Sequence, residues 1–311
     1  MNAVPTANDS KEAAADSIVQ CVMSGPSARP WITVTAIVAC IGVYLCHAVE
    51  NDHGSWEVLL KFGILPAESI RRGRYWPLIT NVFVHFELWH VAFNVYWLWK
   101  LGSCLEKAIG SLPYLGFFLA SAFVSSSFQL AMSDGIGIGA SGVVYAIFGF
   151  MRPTRLRYTQ FNQVLDSQTI QLFVGWMIFC VVAEVLQFWK VGNAAHISGF
   201  LFGGAVAGSF VLNNRPRLML AGMSLLVVLS IIPLFWCPWS ISWLSHRAYN
   251  AHAAEHYETA LKWYTQIIQL DPQNAWAYRN RSGVYGALGE SDKAAADLER
   301  VHQLEQLVEK N

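Results

Sequence analysis

Residues 169–212 read TIQLFVGWMIFCVVAEVLQFWKVGNAAHISGFLFGGAVAGSFVL. Two apolar runs, Thr169 to Trp189 and Ala194 to Leu212, flank a short break that contains Lys190. A helix needs about 20 mostly apolar residues to cross a bilayer, and both runs are close to that length. Only Glu184 carries a formal charge inside them. Backbone polar groups in hydrocarbon must be satisfied within their own segment, so these runs are read as helices. The second run carries His196, followed by Gly199, Gly203 and Ala207 at four-residue spacing. That stripe of small residues lies on one helix face and permits close packing on a neighbour.

Five further apolar runs extend the pattern to seven spans: Trp31 to Val49, Leu88 to Trp99 (continuing through Leu101), Leu112 to Met132, the short Gly-rich run Ile136 to Met151, and Leu218 to Phe235. The fold class expected is an all-α polytopic membrane protein. Composition agrees: the chain is 54% hydrophobic and only 14% charged, against about 25% charged in soluble domains. Many of the Trp residues sit near the ends of apolar runs, which suits interfacial anchoring. Zero formal net charge gives no long-range attraction for nucleic acid. The cysteines Cys21, Cys40, Cys46, Cys104, Cys180 and Cys237 are scattered without a C-x-x-C pair and read as small buried hydrophobes. Residues 1–30 are polar and lack both the short apolar core of a signal peptide and the Arg-rich character of a transit peptide, so a short disordered cytoplasmic tail is expected.

Basic residues in short loops orient the spans. Lys100 and Lys107 follow span two, Arg152, Arg155 and Arg157 follow span four, and Arg215 and Arg217 follow span six. Asp134 alone follows span three and Lys190 alone follows span five. The bias puts the N-terminus in the cytoplasm and, after seven spans, the C-terminal segment outside. The long loop after span one breaks the trend, with Lys61, Arg71, Arg72 and Arg74 set against Glu50, Asp52, Glu57 and Glu68.

Polar groups at membrane depth are costly and usually face the bundle interior. His90 and Asn94 are i and i+4 in span two, Ser141 heads span four, and His196 heads span six. With the inferred orientation, all four fall in the outer half of the membrane. Each alone also fits interhelical packing or hydrogen bonding. Metal binding is disfavoured because H-E-x-x-H and nearby intramembrane carboxylates are missing. Together the residues fit nucleophilic chemistry: a serine hydroxyl needs a base to take its proton, and a tetrahedral intermediate needs donors at its oxyanion. Glu184 reads as an interfacial carboxylate rather than a triad acid, which leaves a Ser–His dyad, with Tyr145 one turn after Ser141 able to stack on the imidazole.

The series His85-x-x-x-x-His90-x-x-x-Asn94, then Gly139-Ala140-Ser141-Gly142-Val143-Val144-Tyr145, then Ala195-His196-x-x-Gly199 resembles the rhomboid protease family. The resemblance covers about residues 31–213, with the seventh span as in relatives of six-plus-one layout, and Leu101-Gly102 through Glu106-Lys107 resembles the turn after the family's second helix. It implies a six-helix core plus one span, Ser141 as nucleophile and His196 as general base. It assigns His90, Asn94 and the Ser141 N–H to an oxyanion hole, and Gly139 to the loop that shapes the substrate pocket. Tyr145 would stack on His196, Gly199 would let span six approach span four, and His85 would support the loop near the mouth. No cofactor is required. The implied substrates are single-span membrane proteins cut near the outer surface, in a bacterial cytoplasmic membrane. The family usually has Trp-Arg in the first loop, where this chain has Trp76-Pro77. The rival readings are a catalytically inactive relative that binds or escorts membrane clients, and a transporter, for which no internal symmetry is seen.

Beyond Pro238 the composition becomes polar and helix-favouring. Ala260 and Ala294 are 34 residues apart, as are Tyr264 and Leu298, and Asp271-Pro272 separates two helical stretches. A 34-residue period is the tetratricopeptide spacing. The expected organisation is therefore a tail over 1–30, a membrane protease domain over 31–237, and a tetratricopeptide-like helical module over 241–311 that offers a protein partner a surface.

The charge bias yields a direct test. Cysteines introduced near Asp134 and near Asn274 should react with a membrane-impermeant thiol reagent added outside intact cells, and cysteines near Arg155 should not. The opposite labelling pattern would invert the topology.

Overall fold

The computed structural model describes residues 29–50, 55–189, 191–211 and 216–309. The tail expected over 1–30, apart from its last two residues, lies outside the described residues, as do Asp52, Lys190 and Arg215. The elements in chain order are α1 (Trp31–Ala48), three short helices α2 (Trp56–Lys61), α3 (Ala67–Arg71) and α4 (Pro77–Thr80), then α5 (Leu88–Trp97) and α6 (Ser103–Ile109), joined by a π turn. There follow α7 (Ser111–Ser133), α8 (Ser141–Thr154), α9 (Ser167–Val185), α10 (Asn193–Val211) and α11 (Pro216–Phe235), and then α12 (Ile241–Ala253), α13 (Tyr257–Leu270), α14 (Ala275–Ala287) and α15 (Ser291–Glu309). No strand occurs among the described residues. The architecture is the expected helical membrane protein: α1, α7 and α9 are each long and apolar enough to cross a bilayer.

Two spans differ from the expectation. The run Ile136 to Met151 becomes helical only at Ser141. Gly137 and Gly139 adopt positive φ of 66° and 92°, a region that glycine enters without steric cost, so the chain turns before the helix starts. The run after Leu88 does not stop near Leu101. It continues through the π turn Leu98–Gly102 into α6, past Glu106 and Lys107. Glu106 is fully buried. Its carboxylate accepts from Ile32 N–H at 3.0 Å, Thr33 N–H at 2.8 Å, Thr33 Oγ at 2.7 Å and Ser111 Oγ at 2.6 Å. Pro30 precedes α1 and supplies no side-chain cap. Glu106, from 73 residues away, therefore serves the otherwise open amides of the first turn and places negative charge at the positive end of that helix.

Packing divides the chain into two compact units. The first comprises Met1–Ile64, Leu78–Gln129 and Gly137–Ser230. Its centre is α8, in which every residue from Gly142 to Met151 is buried. A helix buried all round must be apolar all round, and this one contributes Val143, Val144, Ile147, Phe148 and Phe150 to the core. Phe148 stacks on Phe173 of α9 with ring centroids 4.6 Å apart. Gly149 and Gly203 remove the side chains that would separate α8 from α10: a Cβ at Gly149 would meet the Phe200 carbonyl, and one at Gly203 the Ala146 carbonyl.

The second unit comprises Leu65–Pro77, Leu130–Ile136 and Ile231–Asn311. Asp134, expected only as a loop charge, caps α12 here. It accepts from Ile241 N–H at 2.9 Å, Ser242 N–H at 3.2 Å and Ser242 Oγ at 2.8 Å, and Ser240 Oγ also donates to it. Consecutive helices α12 to α15 pack one on the next. Ala260, Tyr264, Ile267, Ala277 and Val284 form their buried core. Arg281 grips Asp297 with two parallel bonds of 2.8 Å and donates to Thr265 Oγ1 at 3.0 Å. The paired carboxylate raises the guanidinium above its ordinary range, against the opposing effect of burial. Tyr264 is fully buried, whereas Leu298, one 34-residue period later, is exposed.

The Glu106 cap makes a quantitative expectation possible. A hydrogen bond to a charged group is worth about 1.5–3 kcal/mol, and losing the acceptor strands buried donors. Glu106→Ala should destabilise the fold by about 3 kcal/mol or more, read as a lower thermal unfolding midpoint in detergent, with Glu106→Gln intermediate. An unchanged midpoint would show that the cap contributes nothing.

Candidate active site

Ser141 is the first residue of α8, and its position follows from the local sequence. Gly139 turns the chain, Ala140 offers no capping side chain, and the helical pattern of bonds begins with Val144 N–H to the Ala140 carbonyl at 2.9 Å. The amides of Ser141, Gly142 and Val143 are thereby the open donors of the first turn, at the positive end of the helix dipole. The Ser141 side chain is half-buried.

His196 lies in the first turn of α10 and is 4% exposed, so its ring is shielded from solvent on nearly all sides. Its Nε2 is 2.8 Å from Ser141 Oγ. The other ring nitrogen, Nδ1, is buried and has no hydrogen-bond partner. For Ser141 to donate to Nε2, the imidazole must carry its own proton on Nδ1. The ring is held instead by Tyr145, one turn after Ser141, with centroids 4.8 Å apart and planes inclined by 32°. Tyr145 is itself fixed by its hydroxyl, which donates to the Phe173 carbonyl at 2.9 Å. Glu184 does not face the imidazole: it accepts from Asn193 Nδ2, which also donates to the Cys180 carbonyl at 3.0 Å.

The remaining sequence-selected residues gather around the turn before Ser141. A Cβ at Gly139 would lie 2.7 Å from both Cε1 and Nε2 of His90 and 3.2 Å from Nε2 of His85. Only glycine lets the two imidazoles approach the turn so closely. The His85 and His90 rings meet edge to face at 4.8 Å. His85 is fully buried, accepts the Ala140 N–H at Nε2 over 3.4 Å and approaches the Phe83 carbonyl with Nδ1 at 3.3 Å. One tautomer, protonated at Nδ1, satisfies both contacts. Asn94 is 1% exposed; its Nδ2 donates to the His90 carbonyl at 3.0 Å, and its Oδ1 has no partner. Gly199 faces α8 so closely that a Cβ there would strike the Gly142 carbonyl.

Several supporting residues escaped the sequence reading. Asn81 accepts the Ser126 hydroxyl at 3.1 Å, donates through Nδ2 to the Gly137 carbonyl at 3.2 Å, and receives the Gly139 N–H on its backbone carbonyl at 3.1 Å. It ties the turn before Ser141 to α7. Gln129 Oε1 accepts the Ala195 N–H at 3.0 Å, which steadies the start of α10 beside His196. Ser125 lies so close to Gly142 that a Cβ there would come within 2.6 Å of its hydroxyl. Asparagine, serine and glutamine in apolar surroundings were a usable signal, but nothing local in the sequence pairs them with their targets.

The fold and site define a polytopic helical membrane protein with a serine and a histidine in hydrogen-bond contact at the head of the buried helix α8. The chain matches the Rhomboid domain over residues 72–214. It is 30% identical over 188 residues to the proteins named rhomboid protease GlpG of Salmonella choleraesuis (strain SC-B67), Salmonella paratyphi A (strain ATCC 9150 / SARB42) and Salmonella typhi. The matched stretch covers 60% of this chain and 65% of each relative, a little under two thirds of their length.

The glycine contacts between α8 and α10 set an expectation for reactivity. Misplacing a reacting group by about 1 Å can cost roughly a hundredfold in rate. Gly199→Ala should therefore cut fluorophosphonate labelling of Ser141 by about that factor while the protein keeps its helical circular dichroism. Gly175→Ala on α9, where a Cβ would meet nothing within 4 Å, should label like the wild type. Equal labelling of all three proteins would show that the close approach does not position the pair.

Proposed function

We propose that this chain is an intramembrane serine endopeptidase that uses a Ser141–His196 dyad to cut transmembrane segments of single-span membrane proteins near the outer surface of a bacterial cytoplasmic membrane. The observation that carries the reading is the 2.8 Å contact between Ser141 Oγ and His196 Nε2 at the open end of α8. The match of residues 72–214 to the Rhomboid domain and the similarity to proteins named rhomboid proteases support it.

In the proposed reaction His196 Nε2 takes the Ser141 proton as Oγ attacks the carbonyl carbon of the scissile peptide. The carbonyl oxygen becomes an oxyanion, received by the Ser141 N–H with His90 and Asn94 as further donors. Asn94 Nδ2 has a second proton beyond the one given to His90. The imidazolium is stabilised by the face of Tyr145 and then protonates the leaving amine, which breaks the C–N bond and leaves an acyl ester on Ser141. Water, deprotonated by the same imidazole, cleaves the ester and returns the proton to Ser141. No cofactor enters the cycle. A helical peptide bond is shielded by its neighbours, so helix-breaking residues in the substrate favour cutting. The cytoplasmic N-terminus, the extracytoplasmic C-terminus, the division into a membrane domain over 31–237 and a tetratricopeptide-like module over 241–311, and a partner-recruiting role for that module belong to the same proposal. The intact serine–histidine contact speaks against the rival reading of an inactive escort protein.

Ser141→Ala and His196→Ala should each abolish cleavage of a model transmembrane substrate in proteoliposomes without loss of expression. The double variant should be no worse than either single change, because nucleophile and base act as one unit. His90→Ala or Asn94→Ala should slow turnover by about a hundred- to a thousandfold. Substantial cleavage by Ser141→Ala would sink the assignment.

A further inference from the structure

The second unit contains a cavity of about 820 Å³ that the proposed peptidase chemistry does not use. Arg71 and Arg72, at the end of α3, line one side. His246 and Arg247 on α12 line another, with Trp243 and Trp263 beside them. Leu234 and Phe235, at the end of the last apolar helix, complete an oily wall. The lining thus combines three guanidinium groups with indole rings and aliphatic surface, and it includes no carboxylate.

This positive charge has no directly paired carboxylate, although Asp134 acts on Arg71 from a longer range. Among the described residues, none of Arg71, Arg72 and Arg247 lies within 4.0 Å of a carboxylate oxygen. Arg71 is 7% exposed, and although its terminal nitrogens donate to the Pro233 carbonyl and to Ser240 Oγ at 3.2 Å, its Nε is buried without a partner. The Arg247 guanidinium is already seated over the Trp243 ring, 5.2 Å from its centroid, and Trp243 meets Trp263 edge to face at 5.7 Å. His246 is held below its ordinary range, first by burial and then by Arg72, Arg247 and Arg71, with Glu68 opposing. The field that the histidine experiences is therefore a net positive one. Pre-seated arginines without a directly paired carboxylate fit a phosphate group with its several acceptor oxygens.

The flanking residues identify the source of the phosphate. Phe235, Trp236 and Trp239, at the end of α11 and just beyond it, are exposed, and clustered aromatic residues at the end of an apolar span mark the headgroup level of a bilayer. A ligand in this cavity would meet guanidinium groups on one side and Leu234 and Phe235 on the other. We propose that this cavity binds the phosphate headgroup of an anionic phospholipid, with the first carbons of its acyl chains against Leu234 and Phe235. Free phosphate would satisfy the arginines but leave the oily wall bare.

The test titrates the full-length protein in detergent with phosphatidylglycerol, with phosphatidylcholine and with inorganic phosphate, and reads bound species by native mass spectrometry. Arg72 and Arg247 are exposed, so Arg72→Gln and Arg247→Gln remove charge without opening the core. A basic residue at an anionic membrane surface is worth about 1 kcal/mol, or roughly a fivefold change in affinity. Each variant should weaken phosphatidylglycerol binding about fivefold and the double variant about twenty-five-fold. A Lys293→Gln/Arg300→Gln control, of equal charge change outside the cavity lining, should bind like the wild type. Phosphatidylcholine and inorganic phosphate should compete poorly. Unaltered lipid binding by the double variant, equal loss in the control, or inorganic phosphate binding as tightly as phosphatidylglycerol would each overturn the proposal.

Discussion

In the first unit α8 meets α10 backbone against backbone along Gly142, Gly149, Gly199 and Gly203. Ser141 and His196 sit at the heads of these two helices, 55 residues apart in the chain. A 2.8 Å bond between these side chains demands that the two helix heads lie close together. A Cβ at Gly149, Gly199 or Gly203 would drive into a carbonyl of the other helix. In lipid there is no hydrophobic gain from pressing one apolar helix on another, so association relies on close packing between small residues. The stripe Gly199, Gly203 and Ala207 supplies it, and the position of the histidine follows.

Around that crossing, buried polar side chains hold the irregular segments in place. Asn81 fixes the turn that presents Ser141, Gln129 fixes the entry to α10, and Glu106 fixes the start of α1. In the second unit Asp134 performs the same service for α12. Each side chain answers backbone amides or carbonyls that have lost their regular partners, and in apolar surroundings such groups are too costly to leave unmet. At the candidate site Nδ1 of His196 and Oδ1 of Asn94 are unpaired, as are Trp97 Nε1 and Ser127 Oγ elsewhere in the first unit. Under the proposed mechanism Asn94 keeps one Nδ2 proton, beyond the one given to the His90 carbonyl, for the oxyanion.

How much of this was legible in the sequence depends on the range of the interaction. The helical spans were readable because apolar runs declare themselves over about 20 residues. Ser141, His196, His90 and Asn94 were readable because polar residues are rare in such runs and because their motifs resemble a known family. The turn over Ile136 to Ala140 was misjudged as helix, since its apolar character outweighed two glycines whose positive φ only the folded chain reveals. The extension of the second span to Ile109 was missed for the opposite reason. Glu106 and Lys107 were placed in a turn after that span, and nothing near Glu106 in sequence announced the amides of Ile32 and Thr33.

By itself the sequence determined that the chain is a bundle of membrane helices, which of its few polar residues must be explained, and which helix faces are small enough to meet. These properties are local: apolar length, period and residue type act within one or two helical turns. Only the tertiary structure decided that Ser141 and His196 share a hydrogen bond, that Asn81 and Gln129 brace the segments that carry them, and that Arg71, Arg72 and Arg247 converge on one cavity. Those outcomes depend on how helices distant in the chain are brought together. A shift of an ångström or two, invisible in any residue pattern, makes or breaks a hydrogen bond.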